Sequence, residues 1–155
     1  MRDVTLVECN PTDSEAIHCL KQYYAELEAR FERGFDVSQS NDPEANAMIR
    51  PRGVFYVAMM EGAPVGCVGV KGTGREVAEI KRLWVSPKAR GKGLARQLMA
   101  ACDTAAVALG ITTLRLDTNS ALPEAAALYH TLGWHLIDRF NDDPYPDLFF
   151  EKALS

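Results

Sequence analysis

The segment that most limits the possible folds runs from Glu76 to Gly110. A stretch with strand character, "EVAEIKRLWV" (Glu76–Val85), passes through Ser86-Pro87 into a turn marked by Gly91 and Gly93. An amphipathic helix follows directly and Gly110 stops it. A strand, "ITTLRLDT" (Ile111–Thr118), comes next. Then come a short helix over Leu122–Gly133 with a proline near its first turn, and two strands, "WHLIDRF" (Trp134–Phe140) and "DLFFEKAL" (Asp147–Leu154), joined by the loop "NDDPYP". Upstream, "VTLVECN" (Val4–Asn10) reads as a first strand. A helix over Glu15–Arg33 carries Ile17, Leu20, Tyr24, Leu27 and Phe31 at helical spacing, with Asp13 or Ser14 as its cap. Val54–Gly72 reads as a hairpin turning at Glu61–Pro64. An antiparallel group followed by strand–helix–strand–helix–strand predicts a mixed sheet with helices on both faces.

The length, 155 residues, is that of one domain, here residues 1–155, and is enough to bury a core without disulfides. The four cysteines, Cys9, Cys19, Cys67 and Cys102, are far apart and form no CxxC pair, so free or buried thiols in a reducing compartment are expected. Met1–Val7 already holds an Arg and an Asp, unlike a secretory leader, and no apolar run reaches the ~20 residues of a membrane helix; the expectation is a cytoplasmic protein with no membrane partner. A net charge of −4 argues against general nucleic-acid binding. Asp36–Gly53 is polar, holds two prolines, and is expected to be a long loop with a short helix near Ala45–Ile49.

Against that acidic total, nothing acidic occurs between Ile80 and Cys102, where Lys81, Arg82, Lys88, Arg90, Lys92 and Arg96 cluster. The first turn of a helix leaves backbone N–H groups unpartnered, and the helix dipole adds positive potential there. Every residue from Ala89 to Ala95 keeps its N–H, and the two glycines allow a sharp turn and close approach. This is a cradle suited to phosphate; a solvated cationic turn is the alternative. The pattern GxxxxGK[ST] is absent. Gly91 and Gly93 match G-x-G of a dinucleotide fingerprint, with Asp117 at the end of the next strand, but Arg96 stands where the third glycine belongs. In the preceding strand, Ile80 would face away from Leu83 and Val85 under strict alternation. A one-residue bulge near Lys81-Arg82 reconciles them; a strand buried on both faces is the other reading.

"RGKGLA" (Arg90–Ala95) matches the Q/R-x-x-G-x-G/A signature of the GCN5-related N-acetyltransferases, and "EIKRLWV" precedes it as a strand does in that family. "LDTN" (Leu116–Asn119) and "AAALYHTLGW" (Ala125–Trp134) resemble the family's later segments, with Trp134 in place of Phe. The resemblance covers about residues 54–154. It implies an α+β, αβα three-layer fold: a mixed, largely antiparallel sheet of about seven strands, splayed between strands 4 and 5. It implies acetyl-coenzyme A as donor, no metal, and a cofactor site made by Arg90, Gly91, Lys92, Gly93, Leu94, Ala95 and Arg96 around the pyrophosphate. Leu83, Trp84 and Val85 would lie along the pantetheine arm, with Asn119 contacting the same cofactor unless it only forms a turn. His18, His130 and His135 have no metal-ligand spacing. Homodimers are frequent in the family.

The reaction so implied is direct attack of an amine on a thioester in a ternary complex. An alkylamine with a pKa of ~10 must first lose a proton, and a departing thiol with a pKa of ~8.5 gains from receiving one. Tyr129 is the candidate acid, although Leu122, Ala125, Tyr129 and Leu132 share a helical face and the ring could be core. Glu79 is the candidate base, acting through water, with an ion pair to Lys81 as its alternative role. For the acceptor, Arg50 and Arg52 could hold a carboxylate, and Asp142 and Asp143 an amine; together they suggest a small primary amine such as an amino acid or related metabolite. Competing readings are a catalytically inactive acyl-coenzyme A-binding module, a nicotinamide dinucleotide enzyme, and acetylation of a protein amino group.

Overall fold

The computed structural model describes residues 4–31 and 46–154. They form a seven-stranded sheet in the order β1-β2-β3-β4-β5-β7-β6. The strands are β1 (Val4–Glu8), β2 (Val54–Met60), β3 (Ala63–Gly72), β4 (Val77–Val85), β5 (Thr113–Thr118), β6 (His135–Leu136) and β7 (Leu148–Ala153). The helices are α1 (Ser14–Arg30), α2 (Leu94–Ala108) and α3 (Pro123–Thr131). All strand pairings are antiparallel except β4 with β5, which the α2 crossover makes parallel. The expected mixed, largely antiparallel sheet is therefore present.

Two apolar clusters lie on opposite faces. Ala16, Cys19 and Leu20 of α1 pack on Phe55, Val57, Cys67 and Trp84. Leu94, Leu98, Met99, Cys102, Ala105 and Ala106 of α2 recur at helical spacing and pack with Val68, Val70, Ile80 and Leu114 on the other face. Burying a side chain such as Leu98, which is 0% exposed, contributes roughly 1.5–3 kcal/mol, an upper bound because the unfolded chain already buries some area. The two glycine stops act as the sequence implies. Gly110 and Gly133 have φ of 82° and 86°. After them, Ile111 N–H bonds Ala106 O at 2.9 Å and Trp134 N–H bonds Tyr129 O at 3.0 Å, closing both helices with Schellman turns.

β4 carries the bulge. Cys67 opposes Trp84 and Gly69 opposes Lys81, so two steps on β3 match three on β4. Arg82 takes up the extra residue with φ 61°. As a result Ile80, Leu83 and Val85 pack into the α2-side cluster and Trp84 into the α1-side one. The β4–β5 ladder runs from Val77↔Thr113 to Ile80↔Leu116 and stops there. Past Ile80, β4 stays with β3 while Asp117 and Thr118 stay with β7, which opens the expected splay.

Two expectations need revision. The strand over Trp134–Phe140 shrinks to His135–Leu136, because the Arg139 guanidinium donates to the carbonyls of Asp143 (3.1 Å) and Pro146 (2.9 Å) and folds the following residues into a loop. α1 ends at Arg30 rather than Arg33. Most of the Asp36–Gly53 loop lies outside the described residues; its expected short helix is a 3₁₀ turn over Asn46–Met48.

Candidate active site

The splay holds a cavity of about 110 Å³. β4 supplies Lys81, Arg82 and Leu83; β5 and its end supply Asp117 and Asn119; α1 supplies Tyr23 and Tyr24; α3 supplies Tyr129; and the loop before β7 supplies Asp143 and Tyr145. Each reaches the cavity for a local reason. Lys81 and Asp117 point to the α1 face because Ile80 and Leu116 point to the α2 face. Arg82 is brought there by the bulge. Tyr129 is fixed by ring contacts with Phe150 (5.7 Å between centroids) and Trp134 (6.2 Å).

The floor is ionic. Lys81 Nζ lies 3.1 Å from an Asp117 carboxylate oxygen and 3.4 Å from Glu79 Oε1, and all three side chains are largely buried. Burial alone would lower the Lys81 pKa, but Asp117 and Glu79 more than offset it, so the ammonium is held charged. Asn141 Nδ2 also donates to Asp117, at 2.7 Å. Burial, reinforced by the Asp117 charge, pushes the Tyr129 phenol well above its ordinary value and keeps its proton on oxygen. Tyr23 is shifted the same way by burial, with Tyr129 and Asp117 adding to it.

The turn before α2 is open. Gly91 and Gly93 both have φ 79°, and a Cβ built on either would meet nothing within 4 Å; the backbone conformation, not crowding, selects glycine. The helix's first backbone bond after the turn is Gln97 N–H to Gly93 O, at 3.1 Å. Among the described residues no protein oxygen accepts from the N–H groups of residues 90–96. A row of bare amides beside Lys92 and Arg96, both exposed, fits a diphosphate. Arg90 is engaged: its Nε donates to Val85 O at 2.9 Å and its Nη2 to Glu26 at 2.5 Å.

Of the residues singled out from sequence, Tyr129, Leu83 and Asn119 line the cavity, and Arg90–Arg96 form the open turn beyond the end of β4. Asn119 is committed to the loop as well, with Nδ2 donating to Tyr145 O at 2.6 Å and Oδ1 accepting from Ala121 N–H at 2.8 Å. The Trp84 side chain is core, and β3 takes its place in the ladder. Glu79 does not line the cavity and stands behind Lys81. Arg50 pairs with Glu8 (2.6 Å) and Arg52 Nε with Gly72 O (2.9 Å), so neither arginine faces the cavity; Asp143 does, and Asp142 does not. Sequence reasoning missed Arg82, Tyr23 and Tyr145 as wall residues. The available signal for Arg82 was the bulge itself, since the extra residue of a bulge leaves the strand's alternation.

Comparison with known proteins agrees with this geometry. Residues 20–134 match the Acetyltransferase (GNAT) family. The Escherichia coli N-acetyltransferase YjgM is 32% identical over 142 residues, covering 89% of this chain and 83% of the relative. The IAA acetyltransferase of Azospirillum brasilense is 29% identical over 99% of this chain and 100% of its own. An acetyltransferase of the GNAT family from Staphylococcus aureus superposes with a TM-score of 0.84 over 99% of this chain and 100% of that one; at 16% identity the likeness is one of fold. The open sheet, the bare amides and the match over most of the chain converge: this protein belongs to the GNAT family and is an N-acetyltransferase that uses an acyl-coenzyme A.

Proposed function

We propose that the protein transfers the acetyl group of acetyl-coenzyme A to the primary amine of a small molecule, by direct attack within a ternary complex. The observation that carries this reading is the cavity in the splay. Tyr129 lines it, and β4 leads from it to the row of bare amides at Arg90–Arg96. When bound, acetyl-coenzyme A supplies a thioester whose carbonyl carbon accepts the amine.

The chain's own residues bind, orient and move protons. The amides of residues 90–96, with Lys92 and Arg96, hold the diphosphate. The edge of β4 freed from β5 after Ile80 offers backbone groups from Leu83 to Val85 to an amide-rich arm. As the C–N bond forms and the C–S bond breaks, the acceptor ammonium gives up two protons: one passes to solvent through a base and one ends on the sulfur. Tyr129 donates toward the sulfur. Among the described residues, Asp117 and Asp143 are the carboxylates on the wall itself. Glu79 stands off the cavity wall, 3.4 Å from Lys81, and helps to hold that lysine charged.

All described strands share one sheet, which supports reading residues 1–155 as one N-acetyltransferase domain. Among the described residues no helix is long and apolar enough to cross a membrane. The four cysteines are unpaired, which favours a reducing, cytoplasmic setting. The test is calorimetry with acetyl-coenzyme A followed by an amine panel with thiol detection. Binding together with amine-dependent thiol release is expected; binding without release from any amine would leave an acyl-coenzyme A-binding module and refute the reading.

A further inference from the structure

The end of β4 that leads from the cavity to the turn carries a backbone carbonyl that is already taken. Ser86 N–H reaches Val65 O on β3 at 2.8 Å, and Val85 opposes Gly66. Bonds in an antiparallel ladder alternate from residue to residue, so the N–H and C=O of Val85 point away from β3, to the edge that β5 leaves free beyond Ile80. There Val85 O accepts from Arg90 Nε at 2.9 Å. The outer side of the guanidinium is held as well, with Nη2 donating to Glu26 Oε1 at 2.5 Å. Glu26 pairs through its second oxygen with Arg30, one helical turn on, at 3.3 Å. Arg30 in turn grips Glu124, in the first turn of α3, with both terminal nitrogens, the Nη2 bond at 3.0 Å. The four charges run as one chain from the turn after β4, across α1, to α3. They pass beside Leu83, Leu27 and Ala125, which line the cavity. The bond from Arg30 holds the Glu124 carboxyl below its ordinary value, and the Arg90 charge adds to this, so the two sides of the gap sense each other.

We infer that Arg90 fills the place of the cofactor's amide-rich arm on Val85 O, and that Glu26 is the residue that keeps it there. The inference rests on the cofactor reading above and adds the residue that governs access to that site. An arm amide donating to Val85 O needs the direction that Arg90 Nε takes, so the two compete for one acceptor. A guanidinium that leaves the carbonyl leaves Glu26 too, and its charge is then released to the diphosphate on the neighbouring amides. The Glu26 carboxylate resists that exchange, because charge-assisted bonds are about twice as strong as neutral ones. All four side chains are partly exposed, from 26% to 58%, so the chain is a light latch that salt loosens. Glu26 is therefore a positioning residue that acts on the cofactor only through Arg90.

The experiment is calorimetric titration of acetyl-coenzyme A into the wild type, Glu26→Gln, Arg90→Gln and the double variant. Glutamine is the other residue that the Q/R-x-x-G signature admits at position 90, so the turn keeps its fold. Glu26→Gln retains a hydrogen-bond acceptor without the charge and should tighten binding by about 3- to 10-fold. That gain should shrink to under about twofold as KCl rises from about 0.05 M to about 1 M, where the Debye length is ~3 Å. In the Arg90→Gln background, Glu26→Gln should change affinity by less than about twofold. Unchanged or weaker binding by Glu26→Gln would overturn the inference and make Glu26 a brace for the site. An equal gain with and without Arg90 would overturn it too, since removing any negative charge near the diphosphate would then suffice. Failure of acetyl-coenzyme A to bind the wild type or any variant would sink the cofactor reading instead.

Discussion

Replacing Tyr129 with Phe removes one oxygen from the cavity wall and little else. The ring is 5% exposed and packs against Phe150 at 5.7 Å and Trp134 at 6.2 Å, contacts that a phenylalanine keeps. Stability should therefore change by less than about 1 kcal/mol, a melting shift of no more than about 2–4 °C for a chain of this length. Turnover should change far more. Positioned proton donors contribute about 10²–10⁴-fold, and a loss of ~10² in kcat corresponds to ~2.7 kcal/mol on the barrier. Acetyl-coenzyme A affinity by calorimetry should stay within about threefold, because the hydroxyl is asked to act as the thiol leaves and not before. The assay is thiol release at saturating amine and acetyl-coenzyme A, run beside thermal unfolding. A variant with kcat within about threefold of wild type would refute the donor role. So would a large kcat loss that tracks an equal loss of stability, since the phenol would then be structural.

Three further outcomes follow from the same geometry. Lys81→Met leaves Glu79 and Asp117 facing each other without their shared cation, and breaking such a buried set costs about 3–5 kcal/mol in urea unfolding; a loss under about 1 kcal/mol would show that water already screens the trio. Gly93→Ala keeps the open space around the site but not the φ of 79°, so it should cost about 1–2 kcal/mol in urea unfolding, with Gly93→Asn losing less. Alkaline pH should destabilise the fold: burial raises Cys102 and Tyr129 above their ordinary 9.0 and 10.0, so the unfolded chain releases these protons first. Unfolding free energy measured under reducing conditions should hold up to about pH 9 and fall beyond it; a flat profile to pH 10.5 would contradict the burial of those groups.

The order of elements, both helix stops and the open turn were legible because each depends on local chemistry. Glycines at 91, 93, 110 and 133 all adopt positive φ, and that requirement is written in the residue type. The cavity wall was not legible, because no local rule places it. Arg50 and Arg52 look like carboxylate holders beside a proline, yet one is drawn off by Glu8 and the other by a carbonyl of β3. Glu79 looks like a base on the right strand, but whether it meets the cavity depends on Lys81 filling the space in front of it. Tyr23 belongs to an α1 surface that faces the cavity only once α1 has docked through Cys19 and Leu20. These are outcomes of long-range packing, which sequence periodicity does not encode.

The bulge in β4 joins the readable part to the unreadable one. Its existence follows from a conflict of alternation between Ile80 and the Leu83–Val85 pair, and the structure resolves that conflict with one extra residue opposite β3. The same insertion coincides with the end of the β4–β5 ladder at Ile80↔Leu116, so the point where the faces exchange is also the point where the sheet opens. It also sets a long cation on the wall of the gap, in a backbone conformation that glycine or asparagine would adopt at less cost. The Arg82 head group lies over the Tyr24 ring, 5.9 Å from its centroid, and both side chains line the cavity. Backbone strain at the bulge and a cation on the cavity wall are therefore two consequences of a single inserted residue.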